Sequence, residues 1–560
     1  MREQKLHIVL QTVIVLLTVL LVNQLASRFP LRWDLTEEKR YTVSDATKRL
    51  LRSVDEQVYF ELYLAGDLPS NFERFKKSIE EMLDQFQFES GNKISFKFID
   101  PAQASSTQAR NQFYQSLIEK GVEPTNLNYT NADGDKMEKL IFPGGVASKG
   151  MREVAVNLLK GNSAAGPEGM LNQAVEGLEY ELASAIARLN DGSVKKIGYI
   201  TGHGSPDSVD IVGFKNAVLS RYELFSVSLE GKQELTGYDA VVIAKPSSAF
   251  NEAEKYLLDQ YLMKGGNLLF FIDALSVNPD SIFGEGTIAI PRELNLTDQL
   301  FRYGVRINPN YVLDVNGGQF PIVTGNIGDQ PQIRMIPWPF FPVLSNFSKH
   351  PSVRNLDAIL GRFVSELDTV KAEGITKTPL LQTSAYSKVI SPPVRVAFND
   401  LRDKLRPERF TDGPKTMAYL LEGNFTSLYA NRLIPRGFDK GSFVDKGEPG
   451  KVVIVGDGDI IRNEIDPETN EPLEMGVEPF TKARYANENF IMNLLDYMVD
   501  DSGLIETRSR EVKIRPLDRV KIQNQRTAMQ VINLVFPIIM VLLLGGVKWV
   551  RRNRKYGKKG

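Results

Sequence analysis

Several apolar runs of strand length in this chain end in polar side chains capable of ligand binding or proton transfer. His203, Ser205 and Asp207 follow Ile197–Thr201 (IGYIT), Lys245 follows Ala240–Ala244 (AVVIA), Asp273 follows Asn267–Ile272 (NLLFFI), and Asp457 and Asp459 follow Val452–Val455. In an open parallel sheet the carboxyl ends of the strands border one crevice, so together these residues form a candidate ligand site. With His203 or Asp273 exchanging protons, the same set would belong to a hydrolase. The alternative is architectural. Ser and Asp after a strand commonly cap the next helix, and a histidine between glycines is a turn residue.

The rest of the composition narrows the chemistry. There is no cysteine, and the histidines are His7, His203 and His350. Disulfides, thiol nucleophiles, Cys-ligated metals and multi-histidine metal centres therefore lack their ligands. No Gly-x-x-x-x-Gly-Lys-Ser/Thr cradle is present, so this polypeptide carries no P-loop nucleotide site. Asp466, Glu468 and Asn470 are too loosely spaced for an EF-hand. The net charge is −1 and the pI is near 6.5, which gives no electrostatic reason to expect nucleic acid as a partner. No catalytic, cofactor or metal set is assigned, and the chain reads as non-enzymatic.

What must position these side chains is an alternation of strands and helices. The three apolar runs between Lys195 and Asp273 are hydrophobic throughout, as strands covered on both faces of a parallel sheet are. Between the last two, Asn251 can cap a helix with Leu257, Leu258, Tyr261 and Leu262 on one face, ended by Gly265-Gly266. At 560 residues the chain needs more than one core. The expected fold class is α/β, with two domains between terminal membrane segments. In the first, 27–160, Val58, Phe60, Leu62 and Leu64 alternate as a strand. Ser70 and Glu73 make a capping box, and Phe72, Phe75, Ile79, Met82, Leu83 and Phe86 recur at helical spacing. Strands near Ile94–Phe98, Lys139–Phe142 and Arg152–Val156 complete a loosely thioredoxin-like layer, which cannot do redox chemistry without cysteine. Leu171, Val175, Leu178, Leu182, Ala185 and Leu189 mark a connecting helix within 161–192 that packs between the domains. The second domain, 193–505, contains an irregular insertion at about 278–450. Its Trp338, Phe340 and Phe341 either pin a loop to the core or form a binding patch for protein or glycan.

The two ends carry the membrane signals. Ile8–Leu25 (IVLQTVIVLLTVLLVNQL) within 1–26 and Val531–Val550 within 529–550 are each long and apolar enough to cross a bilayer. A juxtamembrane linker, 506–528, precedes the second span. Lys548, Arg551, Arg552, Arg554, Lys555, Lys558 and Lys559 make the tail, 551–560, and its approach strongly basic, which keeps it cytoplasmic. Arg2 and Lys5 agree for the N-terminus. Both termini inside leaves the bulk of the chain, from about Ser27 to Thr527, outside the cytoplasmic membrane. A cleaved signal peptide is the competing reading of the first run, but no clear A-x-A site follows it.

The βαβ layout with Thr201-Gly202-His203-Gly204 after the first run resembles the class I glutamine amidotransferase-like sheet. Enzymes of that class depend on a cysteine at a sharp strand-to-helix turn. Here the strand runs into Asp273-Ala274-Leu275-Ser276, with no thiol and no Gly-x-Ser-x-Gly elbow. Asp34-Leu35-Thr36, Arg40-Tyr41-Thr42-Val43-Ser44, Ala46-Thr47 and Leu50-Leu51, joined later by TGHG and GGNLLFFID, resemble the GldG family. These are the auxiliary, nominally substrate-binding, subunits of gliding-motility-associated ABC transporters of Bacteroidetes. The resemblance implies a permease subunit and, through it, a cytoplasmic ABC ATPase as partners. It also implies no cofactor, and a role in coupling nucleotide hydrolysis to an extracytoplasmic event. It brings no catalytic or ligand residues. Two other readings stay open: a solute- or glycan-binding subunit using His203, Ser205, Asp207, Asp273, Asp457 and Asp459, and a degenerate amidotransferase-like hydrolase.

Overall fold

The computed structural model describes residues 42–103, 106–130, 136–160, 166–190, 194–278, 281–282, 286–327, 330–397, 407–500, 502–509 and 519–556, together with 10, 13–14, 17–18 and 20–21. The chain divides into two compact units, Met1–Arg510 and Glu511–Gly560.

Two sheets organise the first unit. In the N-terminal one, β1 (Val58–Leu62) pairs in parallel with β2 (Ile94–Phe98) across the βαβ crossover made by α2 (Ser70–Glu89), after the short α1 (Asp45–Ser53). The helix α3 (Thr107–Glu119) and a separate hairpin, β3 (Thr125–Thr130) with β4 (Lys136–Ile141), follow. Then β5 (Gly144–Lys149) runs antiparallel to β1 and carries β6 (Arg152–Asn157) on its outer side, giving the order β2-β1-β5-β6. Phe72, Phe75, Ile79, Leu83 and Phe86 of α2 line the core beneath this sheet, as their spacing requires. Ser44 caps α1 by accepting from the Thr47 amide. Ser70 does not cap α2: Pro69 holds that position, and its carbonyl accepts from the Phe72 and Glu73 amides.

The second sheet has eight strands. Its parallel part comprises β7 (Lys196–Thr201), β8 (Glu223–Ser228), β9 (Ala240–Ala244), β10 (Asn267–Phe271) and, much later, β15 (Lys446–Val455). They lie in the order β8-β7-β9-β10-β15, so the chain reverses direction across the sheet between β7 and β9. The insertion supplies the other side. A long hairpin, β11 (Gly317–Ile327) with β12 (Gln330–Leu344), stands apart from the main sheet. Beyond it, β13 (Ile375–Gln382) and β14 (Thr416–Thr426) run antiparallel from β15 outward to a two-residue edge, Asn346–Phe347.

The unbroken hydrophobicity of the central strands follows from the double cover. Ala240, Val242, Leu269, Phe271, Val453 and Val455 face one core, roofed by α5 (Val212–Leu219) and α8 (Asn487–Val499). Val241, Ile243, Leu268, Phe270, Val452 and Ile454 face the other, under α6 (Glu252–Met263) and α7 (Thr297–Tyr303). Asn251 and Glu254 form a reciprocal capping box at the start of α6. Trp338, Phe340 and Phe341 are buried with Tyr311, Phe320 and Phe363 in a separate aromatic core of the insertion, so they pack rather than form an open patch.

A 25-residue helix, α4 (Gly166–Asn190), links the two sheets. Its Leu171, Leu178, Leu182 and Leu189 belong to the N-terminal core. The polar residues Tyr180 and Glu181 on it make buried contacts with α8 and neighbouring segments. The Tyr180 hydroxyl donates to Asp496 of α8 at 3.1 Å, and Arg221 reaches the same carboxylate at 2.9 Å. Glu181 pairs with Lys160 at 2.9 Å and Arg508 at 2.8 Å.

In the second unit, α9 (Arg519–Tyr556) contains a stretch, Met529–Arg554, long and apolar enough to cross a membrane and unburied throughout. Its 26 residues rise about 39 Å at ~1.5 Å each, more than the ~30 Å hydrocarbon layer. The helix itself begins at Arg519, within the expected linker at 506–528. The expected N-terminal span, 1–26, lies largely outside the described residues.

Position in the sheet sets the expected cost of core changes. Phe270→Ala, fully buried at the centre, should lower the unfolding free energy of the full chain by about 3–5 kcal/mol. Phe225→Ala on the edge strand β8, where the ring is 40% exposed, should change it by about 1 kcal/mol or less. Chemical denaturation followed by circular dichroism compares them. Equal losses would refute the assignment of β8 as an edge.

Candidate functional site

The residues that end β9, β10 and β15 meet in one ionic cluster. Carboxylate oxygens of Asp273, Asp457 and Asp459 lie within 4.8 Å of one another. Lys245 reaches in from the end of β9, its Nζ 2.7 Å from Asp273 and 2.5 Å from Asp459. The other Asp273 oxygen accepts from the Gly458 amide at 2.6 Å. Asp457 is fully buried and accepts from the Arg362 and Asp459 amides, each at 2.7 Å. Arg462 spans Asp459 at 3.0 Å and Asp210 at 2.6 Å, which ties the loop after β7 to the cluster.

Burial and neighbouring charge set the protonation. Burial, then repulsion from Asp459 and Asp273, holds the Asp457 carboxyl well above the usual range. Burial would also raise Asp459, but Lys245 and Arg462 more than offset it and hold that group below its ordinary value. Burial disfavours the Lys245 charge, yet Asp273 and Asp459 reverse this and raise its pKa. Three carboxylates at this spacing have the form of a divalent-cation ligand set. In this cluster the ammonium takes the central place, and each carboxylate oxygen already accepts a hydrogen bond from the protein. A Cβ on Gly458 would lie 2.7 Å from Lys245 Cγ and 2.8 Å from an Asp273 oxygen, so the packing is close.

The residues after β7 are used differently. Gly202, His203 and Gly204 all have left-handed backbone, with φ of 87°, 53° and 63°, a run that glycine on either side makes tolerable. The His203 carbonyl accepts from the Ser247 and Ser248 amides, at 2.7 and 3.0 Å. Its ring stacks on Phe250 at 3.9 Å, with Nε2 3.5 Å from Glu254 at the start of α6. A Cβ on Gly204 would collide with Ser247 Oγ at 1.9 Å. The loops after β7 and β9 thus close against each other at the point where strand order reverses. Ser205 completes the turn by donating its amide to Gly202. Exposed Asp207 accepts from the Val209 and Asp210 amides, and these bonds lower its pKa. Sequence position alone gathers Lys245, Asp273, Asp457 and Asp459. It omits Arg462, Asp210 and Glu254, of which only Arg462 leaves a trace, three residues after Asp459.

The Lys245 ammonium is the test of this arrangement. Lys245→Met keeps the bulk and removes the charge, and should cost about 3–5 kcal/mol at pH 8 by leaving buried carboxylates unpaired. With its cation present, Asp459 has a folded pKa below its usual 3.8. Its stabilising contribution is present above that value and lost as pH falls. Without the cation the shift reverses, so the folded variant takes up a proton and is penalised increasingly as pH rises. Thermal melting at pH 5 and pH 8 should show a larger gap from wild type at pH 8; a pH-independent gap would refute the pairing.

Comparison with known proteins adds a family. A model described as a domain of unknown function matches residues 37–148. An uncharacterized protein of Borreliella burgdorferi is 20% identical over 539 residues, covering 93% of each chain. The solved mmIFT52 N-terminal domain aligns with 55% of this chain and 99% of its own at 12% identity, with a TM-score of 0.30, too low to support a shared fold. The model of an ABC-type uncharacterized transport system matches residues 194–494, which include the second sheet and the whole ionic cluster. With more than half of its length matched, the chain belongs to this ABC-type transport-system auxiliary family.

Proposed function

We propose that the protein is a non-catalytic, membrane-anchored auxiliary subunit of an ABC transporter of the gliding-motility-associated kind. It joins a permease and, through it, a cytoplasmic ATPase, and couples nucleotide hydrolysis to an event outside the cytoplasmic membrane. Two spans hold it there, with both termini cytoplasmic and the bulk of the chain periplasmic. The family match supports association with a transporter complex, and the exposed apolar stretch Met529–Arg554 supports membrane anchorage.

The observation that carries the non-catalytic reading is the seating of Lys245 between Asp273 and Asp459. Strand-end groups positioned for chemistry are matched to one another, and His203 is turned onto Phe250. Such groups have a structural task, and the work comes from the nucleotide-hydrolysing partner. A solute-binding subunit would need an open, partly apolar crevice at the sheet's switch point; the contacts from Ser247 and Ser248 to His203 weigh against one.

The natural absence of cysteine makes the topology measurable. Single cysteines at exposed Ser53 and Ser247, and at Lys559, should react with a membrane-impermeant maleimide differently. The first two should label once the outer barrier is opened, and the last only in lysates. Labelling of position 559 in intact cells would reject the proposed orientation. Tagged full-length chain should co-purify with a permease and its ATPase; rapid turnover of a substrate by the isolated chain, lost in His203→Ala or Asp273→Ala, would reject the non-catalytic role.

A further inference from the structure

Two stretches of chain far apart in sequence, around 43–44 and 504–508, are fastened to one turn of α4. In the first, Val43 enters the apolar cluster around α4, and the Ser44 amide donates to Glu179 Oε1 at 2.6 Å. In the second, Leu504 joins the same cluster. Arg508 then lies 4.0 Å over the Tyr180 ring and pairs with Glu181 at 2.8 Å. The receiving residues, Glu179, Tyr180 and Glu181, are consecutive. Helical geometry points their side chains about 100° apart. One turn therefore holds the incoming segment, Asp496 of the second domain and the outgoing segment together.

The groups involved make this attachment cooperative. Glu181, Arg508 and Asp496 are each less than a tenth exposed. Withdrawing one member leaves a buried charge without its partner, so the set holds or breaks as a unit. Tyr180 is common to both halves: its ring lies under Arg508, while its hydroxyl, together with the Arg221 guanidinium and the Tyr222 hydroxyl, donates to Asp496.

We propose that the Glu179–Tyr180–Glu181 turn is a coupling joint, through which displacement of either segment is felt by the other and by the docking of the two α/β layers. This holds whatever the membrane partners are. A pull on Arg508 is resisted until the Glu181 pair breaks. Tyr180 then loses the guanidinium over its ring, the Asp496 contact loosens, and Glu179 shifts away from Ser44.

Hydrogen–deuterium exchange of the full chain in detergent micelles tests this. Arg508→Ala should raise exchange about tenfold not only at 500–509 but also at 42–54 and 216–223. Tyr180→Phe keeps the ring beneath Arg508 and deletes only the hydroxyl bond to Asp496. It should still raise exchange about threefold at 42–54 and 504–509. Should Arg508→Ala not fold, Arg508→Lys keeps the charge without the planar fork, and the same distant segments should respond more weakly. Increases confined to the segment whose own contact was deleted, or no increase, would overturn the joint.

Discussion

A charge taken out of water needs a counter-charge or must give up its ionisation, and this requirement organises both halves of the molecule. At the strand ends, Lys245 satisfies Asp273 and Asp459, while burial and these neighbours push the pKa of Asp457 beside them upward. At the domain junction, Arg221 and Arg508 do the same for Asp496 and Glu181. Neither cluster is an ornament on a finished core. Lys245 follows β9, Asp273 follows β10 and Asp459 follows β15, so one ammonium fixes the ends of three adjacent strands relative to one another.

How much of this the amino-acid pattern reveals depends on burial. The runs AVVIA and NLLFFI declare themselves as strands because each residue has a core on its own side of the sheet. The strand β8 hides, since at the edge only Val227 is fully buried and Glu223, Phe225, Ser226 and Ser228 meet solvent. Antiparallel β13 hides for a related reason: Thr376, Lys377 and Thr378 read as loop, and they form strand because β14 supplies their partners. The Asn251 cap is legible, as its Glu254 partner is three residues away. The Ser70 cap is a false signal, because Pro69 ahead of it takes over the helix start.

The site follows the same logic. That Lys245, Asp273, Asp457 and Asp459 end strands is visible in the sequence, and parallel pairing brings such ends together. That they neutralise one another is not visible, since it depends on where a lysine stem turns. His203 departs from them because Phe250 and Glu254, some fifty positions on, offer its ring a place.

The pairing of β10 with β15 has a consequence for how the chain comes off the ribosome. Asn267 and Lys451, which hydrogen-bond across that pair, are 184 positions apart. At typical rates of synthesis this interval lasts roughly 10–40 s. Throughout it, Leu268 to Phe271 have β9 on one flank and nothing on the other. A strand whose Leu268 to Phe271 are all buried in the folded chain thus waits, half-zipped, for a neighbour not yet translated, and shielding it in the meantime falls to the cell.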